Sequence, residues 1–198
     1  MSELPLVIAV VGPTCSGKSG LAIKLATELA GEVVACDSRT IYKYMNIGTA
    51  KPSQEEQARA RHHMLDIVEP DEVYTVSQYQ ETGEAILANL TANNIVPIVC
   101  GGTGFYVRAL LEGLQIPEVA PQQSIRSELN GLADEHGSEY LRTLLRELDP
   151  ASADRIGQND RFRLIRAIEV SRVLGRPFSQ AQSRKTVPYN VVWLGLTA

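Results

Sequence analysis

Leu6-Val7-Ile8-Ala9-Val10-Val11 runs directly into Gly12-Pro13-Thr14-Cys15-Ser16-Gly17-Lys18-Ser19, and that junction decides the fold. Six continuous apolar residues, most of them β-branched, describe a strand covered on both faces, the kind found in parallel sheets. The next eight match G-x-x-x-x-G-K-[ST] in full. From Lys18 to Ala30, Leu21, Ala22, Leu25, Ala26 and Leu29 recur at helical spacing, with Gly31 as the stop. Strand, glycine loop and helix in this order are the context in which the motif wraps an anion. Successive N–H groups point at phosphate oxygens, and the helix adds the positive end of its dipole. Lys18 supplies a point charge, and the Ser19 hydroxyl is placed to ligate magnesium. To such a loop a nucleotide β/γ pair and an alkyl pyrophosphate look alike.

The alternation continues outward from this junction. Glu32 to Cys36 reads as a second strand, and Ser53 with Glu56 forms a capping box for a short helix ending near Arg61. Met64 to Val68 reads as a short strand or extended segment. Ser77 with Gln80 opens a helix to about Asn93, and Ile95 to Cys100 is a buried strand before Gly101-Gly102-Thr103-Gly104. After Gly113 the pattern changes to three helical stretches, Ser124 to Ala133, Ser138 to Leu148 and Asp160 to Leu174, the last stopped by Gly175 and Pro177. Tyr189 to Leu196 returns to a β-branched and aromatic run that rejoins the sheet. The expected architecture is α/β: a P-loop NTPase-like parallel sheet flanked by helices, with a helical insertion. Residues 1–114 form the core, 115–186 the insertion, and 187–198 the returning strand.

Composition narrows the class. A chain of 198 residues, 44% hydrophobic and 21% charged, buries an ordinary core and is not disordered over most of its length. No apolar stretch approaches the ~18 residues of a membrane helix, and Leu6 to Val11 is too short for a secretory signal. Cys15, Cys36 and Cys100 are odd in number and widely spaced, which argues against a disulfide framework or a zinc site and fits a reducing cytoplasm. The net charge of -4 is unevenly divided. Residues 1–120 hold 8 Lys+Arg against 14 Asp+Glu, and residues 121–198 hold 11 against 9. Between Arg155 and Lys185, Arg155, Arg161, Arg163, Arg166, Arg172, Arg176, Arg184 and Lys185 face only Asp160 and Glu169. Such a run fits a polyanionic partner or a solvated arginine-rich helix.

Asp37 directly follows Val33-Val34-Ala35-Cys36, so it stands at the carboxyl end of the second strand, on the rim where open α/β sheets bind ligands. Thr103 holds the equivalent place after Ile95 to Cys100. A carboxylate facing the phosphate loop across this rim orients or deprotonates an acceptor; the alternative is an Asp that braces its own loop. His62-His63 closes a helix and lacks a partner at metal-ligand spacing, and the cysteines read as small buried filler near the rim.

Taken together, several stretches are distinctive. They are Gly12 to Ser19, Asp37-Ser38-Arg39-Thr40-Ile41-Tyr42, Met45-Asn46-Ile47-Gly48-Thr49-Ala50-Lys51-Pro52, His62-His63-Met64-Leu65-Asp66, Gly101-Gly102-Thr103-Gly104-Phe105-Tyr106 and Asn159 to Val170. The chain resembles the tRNA dimethylallyltransferase (tRNA isopentenyltransferase) family over nearly its whole length. The resemblance implies transfer of the dimethylallyl group of dimethylallyl pyrophosphate to N6 of the adenine 3′ of the anticodon in tRNA. It makes Gly12, Pro13, Thr14, Cys15, Ser16, Gly17, Lys18 and Ser19 the pyrophosphate cradle, treated by analogy as an ATP site, with Mg²⁺ on Ser19. It makes Asp37 the general base, with Thr103 and Lys18 beside it in the chemistry. The tRNA anticodon arm would meet Asp37, Ser38, Arg39, Thr40, Thr103, Arg126 and Phe162-Arg163-Leu164-Ile165-Arg166. A cytoplasmic monomer without membrane contact is expected.

Bacterial members usually continue well past the strand at Val191 to Leu196, with a further arginine-bearing segment, whereas this chain ends at Ala198. A truncated or naturally short form is therefore expected. Three other readings stay open: prenylation of free adenine nucleotides, a P-loop kinase of a small metabolite, and a tRNA-binding module without catalysis.

Overall fold

The apolar run forms β1 (Leu6–Val11) in the computed structural model, which describes residues 4–197. Val7, Ala9 and Val10 have no exposed surface, because β1 is bordered on both sides and covered on both faces. β4 (Pro97–Gly101) and β7 (Asn190–Gly195) pair with it in parallel, with Val10 opposite both Cys100 and Leu194. β2 (Glu32–Ala35) pairs with β4, and β3 (His62–His63) with β2, giving the order β3-β2-β4-β1-β7. Ala35 lies opposite Cys100, and Val11 opposite Gly101, so the carboxyl ends of the central strands reach one rim.

The two-residue period of β1 then sorts its side chains into separate cores. Val7 and Ala9 join Val34, Val99, Leu87 and Leu110, which lie with α3 (Val76–Ala92) and α4 (Gly104–Leu111). Ile8 and Val10 join Ala22, Ile23 and Ala26 of α1 (Lys18–Glu28). Fully burying each of the Val, Leu and Ile side chains among them is worth about 1.5–3 kcal/mol, and together they fix the sheet whose rim carries the glycine loop. A fourth helix, α2 (Gln54–Arg59), opens with the expected Ser53–Glu56 capping box.

Residues Gln115–Ser183 form a second compact unit of five helices: α5 (Gln123–His136), α6 (Ser138–Leu148), α7 (Pro150–Arg155), α8 (Arg161–Leu174) and α9 (Phe178–Ala181). Leu129, Leu141, Leu145, Leu164 and Ile168 are fully buried at its centre. Where the chain passes between units, β5 (Leu114–Gln115) and β6 (Ser183–Arg184) pair as a two-stranded sheet. No described helix is long and apolar enough to cross a membrane.

Three local expectations are corrected. The capping box of α3 is Thr75 with Gln78, not Ser77 with Gln80. Both pairs have the right spacing, and the earlier start carries Val76 onto the core. Instead of a strand over Met64 to Val68, β3 holds His62 and His63, because Met64 and Asp66 adopt left-handed φ values of 63° and 54° that cannot continue a strand. His62 therefore closes no helix; its Nδ1 lies 2.7 Å from the Ala60 carbonyl, and His63 Nε2 is 2.5 Å from Glu32. The helical stretch also contains α7, whose start was legible: Asp149 caps it by accepting from the Ser152 N–H, and Pro150 takes its first turn.

Candidate active site

The turn between β1 and α1 holds two left-handed residues, Cys15 at φ 65° and Gly17 at φ 83°, with Ser16 between them. Left-handed residues within a turn are the backbone of anion-binding nests. Gly17 is the N-cap of α1 and offers no side chain, so nothing from the cap competes for the first-turn N–H groups that accept a phosphate. Lys18 Nζ donates to the Pro13 carbonyl, folding its charge over the loop. The buried Ser16 hydroxyl has no partner among the described residues, so its hydrogen-bonding capacity is unspent. Ser19 follows in the first turn of α1.

The ends of β2 and β4 close on this loop. A Cβ at Gly101 would lie 1.9 Å from the Cys36 carbonyl oxygen, so only glycine allows the approach. Cys36 in turn donates its N–H to the Cys100 carbonyl at 2.7 Å. A Cβ at Gly102 would stand 3.3 Å from the Gly12 carbonyl and 4.0 Å from Lys18 Nζ, so this segment lies against the glycine loop. The Thr103 hydroxyl oxygen accepts the Ser38 N–H at 3.1 Å, and the Thr103 N–H reaches the Cys36 carbonyl at 3.4 Å. Gly12, Lys18, Thr103 and the residues flanking Asp37 thus share one rim. A pocket of about 390 Å³ opens beside them, lined by Val11, Gly12, Pro13, Gly101, Gly102, Gly104, Val107, Arg108 and Trp193.

Asp37 is half-buried, and its Oδ1 accepts the Arg39 N–H at 2.8 Å. One carboxylate oxygen therefore sets the local turn while the other carries no hydrogen bond among the described residues. Arg39 is exposed. Thr40 is buried, and its hydroxyl donates to the Asp37 carbonyl at 3.5 Å. Its side chain braces the turn that carries Asp37. Beneath the rim, the Tyr79 hydroxyl donates to the Ala35 carbonyl at 3.0 Å while its ring stacks on Tyr106 at 4.2 Å. Burial pushes the Cys36 thiol up to about 12 and the Cys100 thiol to about 11, so both are packing groups and not nucleophiles at neutral pH. Cys15 is exposed.

The second unit distributes its expected residues differently. Glu169 has no exposed surface. Its Oε1 accepts from Arg126 Nε and the Gln122 N–H, both at 2.7 Å, and its Oε2 from Arg126 Nη2 at 2.9 Å and Arg166 Nη1 at 2.6 Å. Burial pushes this carboxyl up, but the hydrogen bonds from Arg126, Arg166 and Gln122 outweigh it and hold it down at about 2. Arg166 also binds the Val119 carbonyl at 2.9 Å. Arg126 and Arg166 are therefore fastened to Glu169. Leu164 and Ile165 lie in the helical core, because the apolar positions of an amphipathic helix face inward. Phe162 and Arg163, 76% and 74% exposed, are the surface members of the stretch.

The basic run is also largely neutralised within each unit. Arg161 pairs with Asp134, Arg172 with Glu128, Arg184 with Glu112 and Lys185 with Glu84. Sequence reasoning gave Lys51 no role, yet its side chain is 3% exposed and bound to Asp66. Spacing carried no signal for this contact, whose partners lie 15 residues apart with α2 and β3 between them.

Known proteins resemble this chain in sequence and fold. The family model described as IPP transferase matches residues 40–198. The tRNA dimethylallyltransferase of Roseiflexus sp. (strain RS-1) is 45% identical over 194 residues, covering 98% of this chain and 63% of its own length. That of Chloroflexus aurantiacus is 44% identical, covering 98% and 65%. The chain thus spans under two thirds of these relatives. Among solved structures, the full-length tRNA isopentenylpyrophosphate transferase of Bacillus halodurans aligns over 98% of this chain and 60% of its own, with TM-score 0.61 and 33% identity. A eukaryotic dimethylallyltransferase acting on tRNA aligns over 100% and 49%, with TM-score 0.78 and 26% identity.

Proposed function

The chain belongs to the IPP transferase family, and on that premise we propose that it transfers the dimethylallyl group of dimethylallyl pyrophosphate to N6 of the adenine 3′ of the anticodon in tRNA, releasing pyrophosphate. The carrying observation is the shared rim, where Gly102 lies against Gly12 and Lys18 while Thr103 holds Ser38, the neighbour of Asp37.

The chemistry needs this juxtaposition. An adenine amino group is a weak nucleophile because its lone pair is delocalised into the ring. Asp37, whose second carboxylate oxygen is free of internal bonds, takes a proton from N6 as the N6–C1 bond of the prenyl product forms. The C1–O bond to the diphosphate breaks with cationic character on the allylic carbon, and negative charge grows on the leaving oxygen. The loop N–H groups and Lys18 stand where that charge develops. The Thr103 hydroxyl, which accepts from Ser38, keeps its own hydrogen to donate to the extruded base. No described cluster of His, Cys, Asp or Glu would hold a metal unaided. Mg²⁺ would be held by the Ser19 hydroxyl and would supply charge neutralisation of the leaving group. Phe162 and Arg163 offer an aromatic face and a cation to single-stranded RNA. The reading places the chain in the cytoplasm as a monomer.

The test is incubation with labelled dimethylallyl pyrophosphate and, separately, unmodified tRNA, AMP or a hydroxyl metabolite with ATP. Label in tRNA supports the reading. Label in AMP alone, or ADP release without prenyl product, overturns it.

A further inference from the structure

Lys51 is a lysine placed where lysines are rarely found, with 3% of its side chain exposed. All three ammonium hydrogens are committed. Nζ donates to the Tyr42 carbonyl at 2.8 Å, to Asn46 Oδ1 at 3.0 Å and to Asp66 Oδ1 at 2.6 Å. These acceptors lie on two chain segments, one continuing from Asp37 and one following β3.

The same two segments contain four of the non-glycine residues with left-handed backbone: Tyr44 at φ 64°, Ala50 at 51°, Met64 at 63° and Asp66 at 54°. Such conformations persist only where the surroundings over-determine them. Lys51 contributes to that determination, since one cation binds both segments.

Asp66 passes the constraint toward the rim. Its carboxylate holds Lys51, and its own N–H donates to the Thr40 carbonyl at 3.3 Å. The next residue, Ile67, donates to the Ile41 carbonyl at 2.8 Å, and Tyr42 bridges Val68 in parallel. Thr40 is the residue whose hydroxyl binds the Asp37 carbonyl. The Asp37–Thr40 turn is therefore pinned at one end by Thr103 and at the other through Asp66 and Lys51.

From this geometry we propose that Lys51 is a positioning residue for Asp37: through Asp66 it holds the far end of the Asp37–Thr40 turn, so the carboxylate is carried at a fixed place on the rim. The proposal rests on the reading of Asp37 as the base. Lys51 touches neither acceptor nor donor and moves no proton.

Lys51→Met keeps the stem and removes the cation. It is expected to raise amide hydrogen exchange in the peptide spanning 37–42 and to lower the single-turnover prenyl-transfer rate roughly 10- to 100-fold, with affinity for inorganic pyrophosphate within about twofold of the parent. Should that variant not fold, Asp66→Asn reports instead, because asparagine tolerates positive φ and keeps the acceptor while losing the charge; a smaller rise in exchange with a roughly threefold to tenfold slower rate is expected. A folded variant with unchanged exchange over 37–42 and an unchanged rate overturns the proposal, as does loss of pyrophosphate affinity in step with the rate. Faster exchange in a chain whose parent transfers no prenyl group overturns the functional reading and leaves the clamp standing.

Discussion

The Ser38 N–H donates to the Thr103 hydroxyl at 3.1 Å, tying the residue after Asp37 to the tip of β4. Thr103→Val removes that acceptor and the hydroxyl hydrogen without changing shape. Loss of one such bond is worth about 0.5–1.5 kcal/mol, so the prenyl-transfer rate should fall by roughly two- to tenfold, because the freed turn no longer fixes Asp37. Thr103→Ser should stay close to the parent. Single-turnover kinetics on the three proteins checks this.

The cysteines provide a map of the rim. Cys36 and Cys100 are buried with thiols pushed up by that burial to about 12 and 11, whereas Cys15 is exposed within the glycine loop. A colourless-to-coloured thiol reagent at neutral pH should therefore label one cysteine in the native chain and three in denaturant. Dimethylallyl pyrophosphate should protect that one. Labelling that the diphosphate does not slow would separate the ligand from the loop.

Glu169 governs the acid stability of the helical unit. Its carboxyl is held near 2 in the folded chain against an ordinary 4.5. A depressed carboxyl stabilises the fold above its unfolded pKa, and the benefit is lost as pH falls toward the folded one. The loss between pH 4.5 and 2 should be on the order of 3 kcal/mol. Glu169→Gln should flatten this pH dependence, read by urea unfolding at a series of pH values.

Arg163 and Arg166, three residues apart on α8, should behave oppositely. Arg163 is exposed and makes only a 3.3 Å surface pair with Asp160, so Arg163→Ala should change stability by no more than about 0.5 kcal/mol. It should weaken tRNA binding and reduce the salt slope by about one. Arg166→Ala leaves Glu169 short of a partner and should cost about 1–3 kcal/mol of stability. Salt-dependent binding isotherms and denaturation of both variants test the contrast.

What was legible in the sequence follows the range of the forces involved. β1, the glycine loop and α1 are local, each encoded by burial pattern and glycine position, and Asp37 falls at the strand tip because it directly follows the run at Val33 to Cys36. Surface and buried arginines were not separable by spacing. Arg126 and Arg166 were grouped with Arg163 as residues meeting tRNA, yet both bind a buried acid, and 43 residues of chain separate Glu169 from Arg126. β3 was misplaced for a similar reason, since the left-handed Asp66 that follows it is held by contacts with Lys51 and Thr40 rather than by local sequence signals.

The central claim is that Asp37 removes the N6 proton while the loop holds the departing diphosphate. The direct measurement is the single-turnover rate of Asp37→Ala with tRNA, alongside its dissociation constant for dimethylallyl pyrophosphate. The account predicts a rate lower by roughly 10²–10⁴ with diphosphate-ester affinity nearly intact. A variant that turns over as fast as the parent would contradict it.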